Sequence, residues 1–216
     1  AGADVEGNAD VAIYLCFGAD STLTGHVNGW TQSSDLSVRW WNQRNADYGA
    51  GFMLMMYLVD HLGGGPAMRQ LVQDGATGGS GITNLATAPA NGQGGLVGTT
   101  MDQIFANFSI AATLDSDQGI YGYSNLQLNP ACSGGSFCRA QPAATNSDWS
   151  TPYSTTGHTM EGWGIRSFKL TPGASSPAPL TLRVTGDRAD FDGVVVTQAA
   201  SDGLLSVSDL TFSNSQ

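Results

Sequence analysis

Three histidines and a few carboxylates are the residues with which this chain could do metal or acid–base chemistry. A hydrolytic zinc site needs three protein ligands, an open position for water and a carboxylate base close to that water. Two histidines one helical turn apart with an adjacent glutamate, HExxH, supply most of such a site. His26, His61 and His158 do not have this spacing, and none of them is followed by glutamate. The chain therefore cannot build this kind of zinc site alone.

Two short segments, residues 5–9 (VEGNA) and residues 47–52 (DYGAGF), carry a resemblance to a known protein family. Residues 5–9 are similar to the Asn-Glu-Gly segment that follows the HExxH helix in hyicolysin-like and aminopeptidase-like members of the gluzincin group of zinc metallopeptidases, with valine where asparagine is usual. Residues 47–52 resemble the family segment in which a tyrosine opens a long apolar helix. The loop between them, with His26, Trp30 and the pair Trp40-Trp41, is similar too. The resemblance spans roughly residues 4 to 125.

This resemblance implies a role for one residue in each segment. Glu6 is the candidate third zinc ligand, and Tyr48 is the candidate catalytic residue, whose hydroxyl donates to the oxyanion of a tetrahedral intermediate. Zinc is expected only if the missing HExxH segment is supplied, and otherwise no cofactor. The first hypothesis is therefore the C-terminal portion of a secreted metallopeptidase-like protein, inactive as this chain alone. Its partners would be an upstream fragment of the same precursor and, if active, a peptide or protein substrate.

Each of these residues also has a purely structural interpretation. Glu6 near a helix start interacts favourably with the helix dipole without zinc, and Tyr48 could be a core aromatic. His61 near a helix end is most simply a surface histidine, and His26 a hydrogen-bonding loop residue. The Asp115 to Gly119 segment carries carboxylates that suit calcium, but it lacks the remaining ligands of an EF-hand loop and more simply ends a helix.

The hydrophobic pattern predicts helices in the first half of the chain. A short helix is expected at 8–18, a buried one at 47–62, another beginning near Pro66, and an amphipathic one from the Thr100 and Gln103 capping box to about Asp115. Polar or glycine-rich loops are expected at 19–45 and 75–98. Beyond Gly119 the pattern predicts strands at Tyr121–Leu128, Trp163–Leu170, Leu180–Thr185, Val194–Gln198 and Leu204–Phe212.

These elements predict an α+β protein with two parts. Residues 1–118 would form a helical metallopeptidase-like subdomain, and residues 119–216 an antiparallel β-sheet or β-sandwich module. The Ser/Thr/Pro-rich stretch 132–159 is either a long excursion or the junction between the two.

Composition indicates an extracellular or cell-surface protein. Eight basic residues stand against 18 acidic ones, giving a net charge of −10, which disfavours nucleic acid as a partner. The simplest account of the cysteines is a disulfide between Cys132 and Cys138 with Cys16 as a buried thiol; the alternative is free cysteines in a reducing compartment. No apolar run is long enough to span a membrane. Since no signal peptide is present, we expect that Ala1 is not the start of the translated chain.

The second hypothesis is a non-catalytic secreted protein on a former peptidase scaffold. Low charge, abundant Thr, Ser and Gly, and the strand edges of the second half suit a binding, surface or assembly-forming module that associates with copies of itself or with polymers. The sequence upstream of Ala1 discriminates the two hypotheses.

Overall fold

Helices occupy the first half of the chain and short strands the second, so the protein is of the predicted mixed helix and strand class. The computed structural model describes residues 3–76, 78–88, 97–132, 135–146, 148–149, 154–156, 159–172, 180–185, 192–199 and 201–210. Within these residues the helices are α1 (Ala3–Phe17), α2 (Ser21–Thr31), α3 (Asn45–Leu62), α4 (Gly64–Gln73), α5 (Gly78–Thr87) and α6 (Met101–Leu114). The strands are β1 (Ala144–Asn146), β2 (Phe168–Leu170), β3 (Val194–Gln198) and β4 (Leu205–Asp209).

Helix α3 lies at the centre of the hydrophobic core. Every side chain from Phe52 to Leu58 is buried, as expected of a helix that is apolar on all sides. Helices α1 and α2 both pack against it. The buried carboxylate of Asp47 in its first turn accepts the backbone N–H groups of Asn42, at 2.7 Å, and Arg44, at 3.0 Å. These bonds fix the chain that leads into the helix.

The predicted capping signals of two other helices are confirmed. At the start of α6 the Gln103 N–H donates to the Thr100 hydroxyl, and the Thr100 N–H donates to the Gln103 side chain, both at 3.3 Å. Asp115 ends this helix in the left-handed conformation, with φ of 45°. Pro66 lies in the first turn of α4, where its missing N–H costs no hydrogen bond.

Two helices lie where loops were predicted, and those two predictions were wrong. Within 19–45, α2 begins after Asp20, whose carboxylate accepts the Leu23 N–H at 2.7 Å. Its buried side carries Leu23, Val27 and Trp30 at helical spacing. Within 75–98, α5 is rich in glycine, yet it buries Ile82, Leu85 and Ala86. Tertiary burial outweighs weak helix propensity in both segments.

The chain divides into two units by its internal contacts. The first comprises Ala1–Ala143 and His158–Ser167, and the second Ala144–Gly157 and Phe168–Gln216. This division differs from the predicted boundary between residues 118 and 119, because residues 119–143 bond to the helices. The Tyr123 hydroxyl donates to the Met53 carbonyl at 3.2 Å, and the Ala140 N–H donates to the Ala112 carbonyl at 2.7 Å.

The segment 158–167 belongs to the first unit through a set of polar contacts. The guanidinium of Arg44 donates to both carboxylate oxygens of Glu161, at 2.9 and 3.1 Å. The Ile165 N–H donates to the Ser34 carbonyl at 2.6 Å, and Arg166 forms an ion pair with Asp35. The described part of this segment, residues 159–167, is therefore held against the chain between α2 and α3.

The second unit contains two two-stranded sheets among its described residues. Strands β3 and β4 pair antiparallel, from Val194 opposite Asp209 to Gln198 opposite Leu205. Strands β1 and β2 pair parallel, with Ala144 opposite Phe168. The wholly antiparallel arrangement predicted from the sequence is therefore wrong for one pair. The predicted strand 194–198 is confirmed, while the last residues of the predicted strand 204–212 lie outside the described residues.

Two predicted strands are not strands in the structure. Residues 121–128 form turns and irregular chain, because their backbone bonds go to helix side chains such as the Asp60 carboxylate, which accepts the N–H groups of Ser124 and Asn125. Residues 180–185 do not form a strand, and the side chains on both sides of the predicted alternation are exposed.

The cysteines follow the predicted pairing but not the predicted burial. Cys132 and Cys138 are joined by a disulfide. Cys16 is exposed, so the expectation of a buried thiol was wrong. The reason is that α1 turns Gly7 and Val11 toward the core, and Cys16 lies on its other side.

Candidate functional site

Helix α1 touches α3 backbone to backbone near Glu6. A Cβ atom placed on Gly7 would lie 2.4 Å from the carbonyl carbon and oxygen of Gly51, which is closer than any real contact. Glycine at position 7 is therefore required for this approach. The contact brings the first turns of α1, with Glu6, beside the first turns of α3, with Tyr48.

Helix α2 approaches the same end of α3 through a second glycine. A Cβ atom on Gly49 would lie 2.1 Å from the His26 carbonyl oxygen and 2.9 Å from the Val27 Cα. In the first turns of α3, Gly51 is therefore the point of close approach for α1, and Gly49 is the point of close approach for α2. Side chains from α1, α2 and α3 meet here because the backbones are so close.

Asp10 and His26 form a half-buried pair between α1 and α2. The Asp10 Oδ2 lies 3.8 Å from the His26 Nδ1, and the two side chains are 19% and 17% exposed. This distance is longer than a hydrogen bond. Neither atom has a hydrogen-bond partner among the described residues, although both are out of contact with solvent. Burying a polar atom without a hydrogen-bond partner costs free energy, so this pair is a source of instability unless a bound group or a proton satisfies it.

Tyr48 packs directly on this pair. Its ring is stacked on the His26 imidazole, with centroids 4.8 Å apart and planes 23° from parallel. On another side the Trp41 ring meets it edge to face at 4.7 Å. The phenol ring is therefore packed between two aromatic side chains, and it is only partly buried. A positioned phenol of this kind can donate a hydrogen bond to developing negative charge.

Carboxylates dominate the electrostatics of the site. Burial raises the pKa of Asp10, and the negative charges of Glu6 and Asp20 raise it further, while His26 lowers it. No lysine or arginine occurs in α1 or α2. The site accordingly favours a cation or a proton close to Asp10.

The two predicted site residues, Glu6 and Tyr48, both lie near the pair of Asp10 and His26. Glu6 lies in the first turns of α1, one helical turn before Asp10, and is partly exposed. Tyr48 lies in the first turn of α3 and reaches Asp10 through His26. The structure thus brings Glu6 and Tyr48 to the same end of α3.

The other histidines lie elsewhere or outside the described residues. His61 is only 8% exposed, so its interpretation as a surface histidine was wrong. Its Nε2 lies 2.9 Å from the Gly122 carbonyl oxygen, and its ring lies 4.6 Å from that of Tyr57. His158 falls outside the described residues. His26 is a helix residue, not the loop residue that we predicted.

Asp115 has a structural task in the turn after α6. Its carboxylate accepts the N–H groups of Tyr123, at 3.1 Å, and Leu128, at 2.9 Å. Both oxygens are thus engaged by backbone, which agrees with the interpretation of this segment as a helix-ending turn.

Sequence reasoning missed Asp10 and underrated His26. A signal was present, since Glu6 and Asp10 are four residues apart and therefore share one face of a helix. The partnership with His26 could not be read from spacing, because it depends on how α1 and α2 cross α3. The glycines at 7, 49 and 51 were the remaining clue, because glycine inside helices commonly marks close packing.

The described residues do not form a metal site by themselves. No group of three or more His, Cys, Asp or Glu side chains among them is arranged to hold a metal ion. What they do provide is a carboxylate and imidazole pair, a second carboxylate and a fixed phenol. This set can hold or move a proton and donate a hydrogen bond.

Comparisons with known proteins do not identify a family or a function for this chain. Among the described residues, no helix is both long and apolar enough to cross a membrane. No protein-family model matches the chain, and no curated protein or solved structure is significantly similar to it.

Proposed function

We propose that this chain is the C-terminal portion of a secreted zinc metallopeptidase-like protein and contributes part of its active site. In this proposal Glu6 is the third metal ligand and Tyr48 is the hydrogen-bond donor to the reacting carbonyl. The HExxH histidines are supplied by a segment that these 216 residues do not contain. The chain alone is then inactive.

The observation that carries the proposal is the convergence of α1 and α2 on the first turns of α3. The close approaches at Gly7 and Gly49 place Glu6, Asp10, His26 and Tyr48 around one end of that helix. These helices carry two carboxylates and an imidazole beside the phenol, and neither α1 nor α2 contains a lysine or arginine that would neutralise the carboxylates. This arrangement suits a site that binds a cation and stabilises negative charge on a substrate.

The residues present do not fit zinc without further ligands, since the described part of the chain offers no three-ligand group. We therefore derive no reaction step through the metal. The tasks that this chain can perform are narrower. Tyr48 offers a hydroxyl donor, and the pair of Asp10 and His26 beneath it offers a place for a proton.

The decisive experiment compares this chain with the longer product of its gene. We expect an in-frame HExxH upstream of Ala1. We also expect about one zinc per molecule in the longer protein by elemental mass spectrometry, with none in the 216-residue chain. Glu6→Gln should remove the zinc from the longer protein, while Glu161→Gln should retain it. Glu161 is a suitable control because its carboxylate is bound by Arg44.

Activity on an unselected fluorescent peptide library tests the role of Tyr48. We expect Tyr48→Phe to lower kcat about 100-fold or more, with little change in zinc content. A signal peptide ending directly before Ala1, or stoichiometric zinc on the 216-residue chain that Glu6→Ala removes, would overturn the proposal.

A further inference from the structure

Arg39 is an exposed arginine in the loop between α2 and α3, and it has no ion pair among the residues that the structure describes. The carboxylates close to it in the chain have other partners, since Asp35 pairs with Arg166 and Asp47 with Arg44. The side-chain N–H groups of Arg39 make no hydrogen bond to the described residues either. Arg39 thus presents a cation whose hydrogen-bond donors are available.

An aromatic ring fixes the position of this guanidinium. The Arg39 Cζ lies over the face of the Trp163 ring, 4.7 Å from its centroid. Such stacking uses the flat face of a guanidinium and leaves the N–H donors at its edge. A guanidinium held in this way loses less conformational freedom when it binds a carboxylate through two parallel hydrogen bonds. The stacking therefore prepares Arg39 to bind a carboxylate.

The ring beneath Arg39 belongs to a residue with an unusual backbone conformation. Trp163 has φ of 66°, in the left-handed region that bulky residues rarely adopt. Its carbonyl accepts the Val38 N–H at 3.1 Å, and its ring meets the Phe105 ring edge to face at 5.3 Å. Backbone strain costs free energy, and it clusters at active sites and ligand-binding segments. The strain at Trp163 is thus a second sign, independent of Arg39, that this place binds a ligand.

The loop that carries Arg39 also packs on the candidate site. Trp41 follows Arg39 by two residues, and its ring meets the Tyr48 ring edge to face at 4.7 Å. Two residues of chain span at most about 7 Å. The loop is fixed here, because the Ser37 hydroxyl accepts the Arg39 N–H at 3.1 Å. A peptide whose carbonyl lies at Tyr48 therefore reaches Arg39 within a few residues, since an extended chain advances about 3.3 Å per residue.

One cation carries unusual weight in this chain because acidic residues outnumber basic ones. Eight basic residues stand against 18 acidic ones. The protein as a whole therefore repels an acidic peptide, but salt screens this repulsion over about 8–10 Å. Within that distance the guanidinium of Arg39 attracts a carboxylate directly. The charge of Arg39 is thus what decides whether an acidic peptide is accepted at this place.

We propose that Arg39 is a specificity-determining residue that binds a carboxylate of the peptide substrate, a few residues from the bond held at Tyr48. This inference rests on the proposed function, because it assumes that a peptide is bound at Tyr48. The carboxylate belongs either to an acidic side chain or to the C-terminus of the peptide, and Arg39 recognises both by the same two hydrogen bonds. Trp163 holds the guanidinium ready for them.

Cleavage of matched peptides by the longer gene product tests the proposal. The substrates are quenched fluorescent peptides with glutamate or glutamine at each position near the cleaved bond, and with a free or an amidated C-terminus. We expect kcat/KM to be about tenfold higher when the carboxylate is present at one of these positions, mainly through KM. Arg39→Gln should abolish this preference. Arg69→Gln is the matched control and should keep it, because Arg69 on α4 is exposed and, among the described residues, stacks on no ring and forms no ion pair.

The outcomes separate this inference from the proposed function. A preference for an internal glutamate identifies a side chain as the ligand, and one that amidation removes identifies the C-terminus. Equal cleavage of all the peptides, or a preference that Arg39→Gln retains, overturns the inference and leaves the proposed function standing.

If the longer product holds no zinc and cleaves no peptide, the proposed function fails, and binding to the 216-residue chain tests Arg39 instead. In NMR titrations, the peptides with a carboxylate should shift the Arg39 Nε–H signal, whereas the amidated glutamine peptides should not. Equal effects of the two kinds of peptide on this signal overturn the inference.

Discussion

At the scale of single residues, the burial of Asp10 works against stability. Its Oδ2 has no hydrogen-bond partner among the described residues, and burial raises its pKa above the ordinary value of 3.8. A folded state with a raised pKa binds the proton more readily than the unfolded state. Protonation of Asp10 therefore stabilises the folded state relative to the ionised form. This stabilisation is fully present below the unfolded pKa and is lost as the pH rises through the folded pKa.

We therefore predict that Asp10→Asn stabilises the protein at neutral pH. The free energy of unfolding in urea should rise by the order of 1 kcal/mol at pH 7, and the gain should shrink toward zero below pH 4. Asp60→Asn is the control with the opposite sign, because the Asp60 carboxylate accepts two backbone N–H groups. If Asp10→Asn destabilises as much as the control, the pairing with His26 outweighs the cost of burial. A stabilising change at a site residue would match the usual conflict between stability and function.

Glu161 should show the reverse pH dependence. The Arg44 guanidinium lowers the pKa of Glu161, with help from the Ser37 N–H. A lowered folded pKa contributes stability above the unfolded pKa, and this contribution is lost as the pH falls through the folded value. We expect Glu161→Gln to lower the melting temperature at pH 7 by roughly 1–3 °C, since the pair is partly exposed.

Calorimetry over a pH series measures this change. The difference from wild type should disappear at acid pH, where the wild-type carboxyl is also protonated. Asp117→Asn, at an exposed residue, should change little at any pH. A loss of stability for Glu161→Gln that persists unchanged in acid would show that the charge of Glu161 is not what matters.

At the scale of elements, the glycines of α1 and α3 decide whether the site can assemble. Alanine is intrinsically the better helix former by about 1 kcal/mol, so Gly→Ala within a helix usually stabilises. At Gly49 the added methyl would overlap the His26 carbonyl, and at Gly7 it would overlap Gly51. Overlap with backbone cannot be relieved by a change of rotamer.

We predict that Gly49→Ala and Gly7→Ala each lower the free energy of unfolding by about 2 kcal/mol or more. Gly25→Ala is the matched control, because Gly25 also lies inside a helix but has open space where its Cβ would be. It should be neutral or stabilising by up to about 1 kcal/mol. Equal effects at positions 25 and 49 in urea denaturation would mean that the helices do not approach as closely as described.

The same elements explain what the sequence could and could not predict. α3 and α6 were predictable because a long apolar run and the Thr100 capping box are local signals. α2 was missed, although Asp20 caps it and Val27 lies on its buried side, because polar residues dilute the pattern. The predicted strand 180–185 failed because alternation alone does not provide a second strand to pair with.

The candidate site was predictable only in part for a related reason. Glu6 and Tyr48 carry sequence resemblance, whereas the partnership of Asp10 with His26 is created by the crossing of helices. Residues that meet only through tertiary packing leave no fixed spacing in the sequence. Cys16 shows the same limit, since an apolar neighbourhood in sequence did not mean burial.

At the scale of the whole molecule, the disulfide ties a loop to the helical core. The loop that it closes carries Phe137, which is 6% exposed and packs against Phe52 with ring centroids 5.8 Å apart. The Asn28 side chain binds the residues on either side of Phe137. Its amide donates to the Ser136 carbonyl at 2.9 Å, and its oxygen accepts the Cys138 N–H at 3.0 Å. Opening the disulfide therefore loosens core packing as well as the loop.

We predict that replacing Cys132 and Cys138 together by serine lowers the free energy of unfolding by about 2 kcal/mol, the value expected for so short a loop. Cys16→Ser should leave the free energy of unfolding unchanged, because the Cys16 side chain is exposed. Urea denaturation with and without reductant measures both effects, and the double variant should be insensitive to reductant. Peptide mapping after alkylation without reductant should find Cys132 and Cys138 unlabelled. Labelling of both in freshly purified protein would contradict the disulfide.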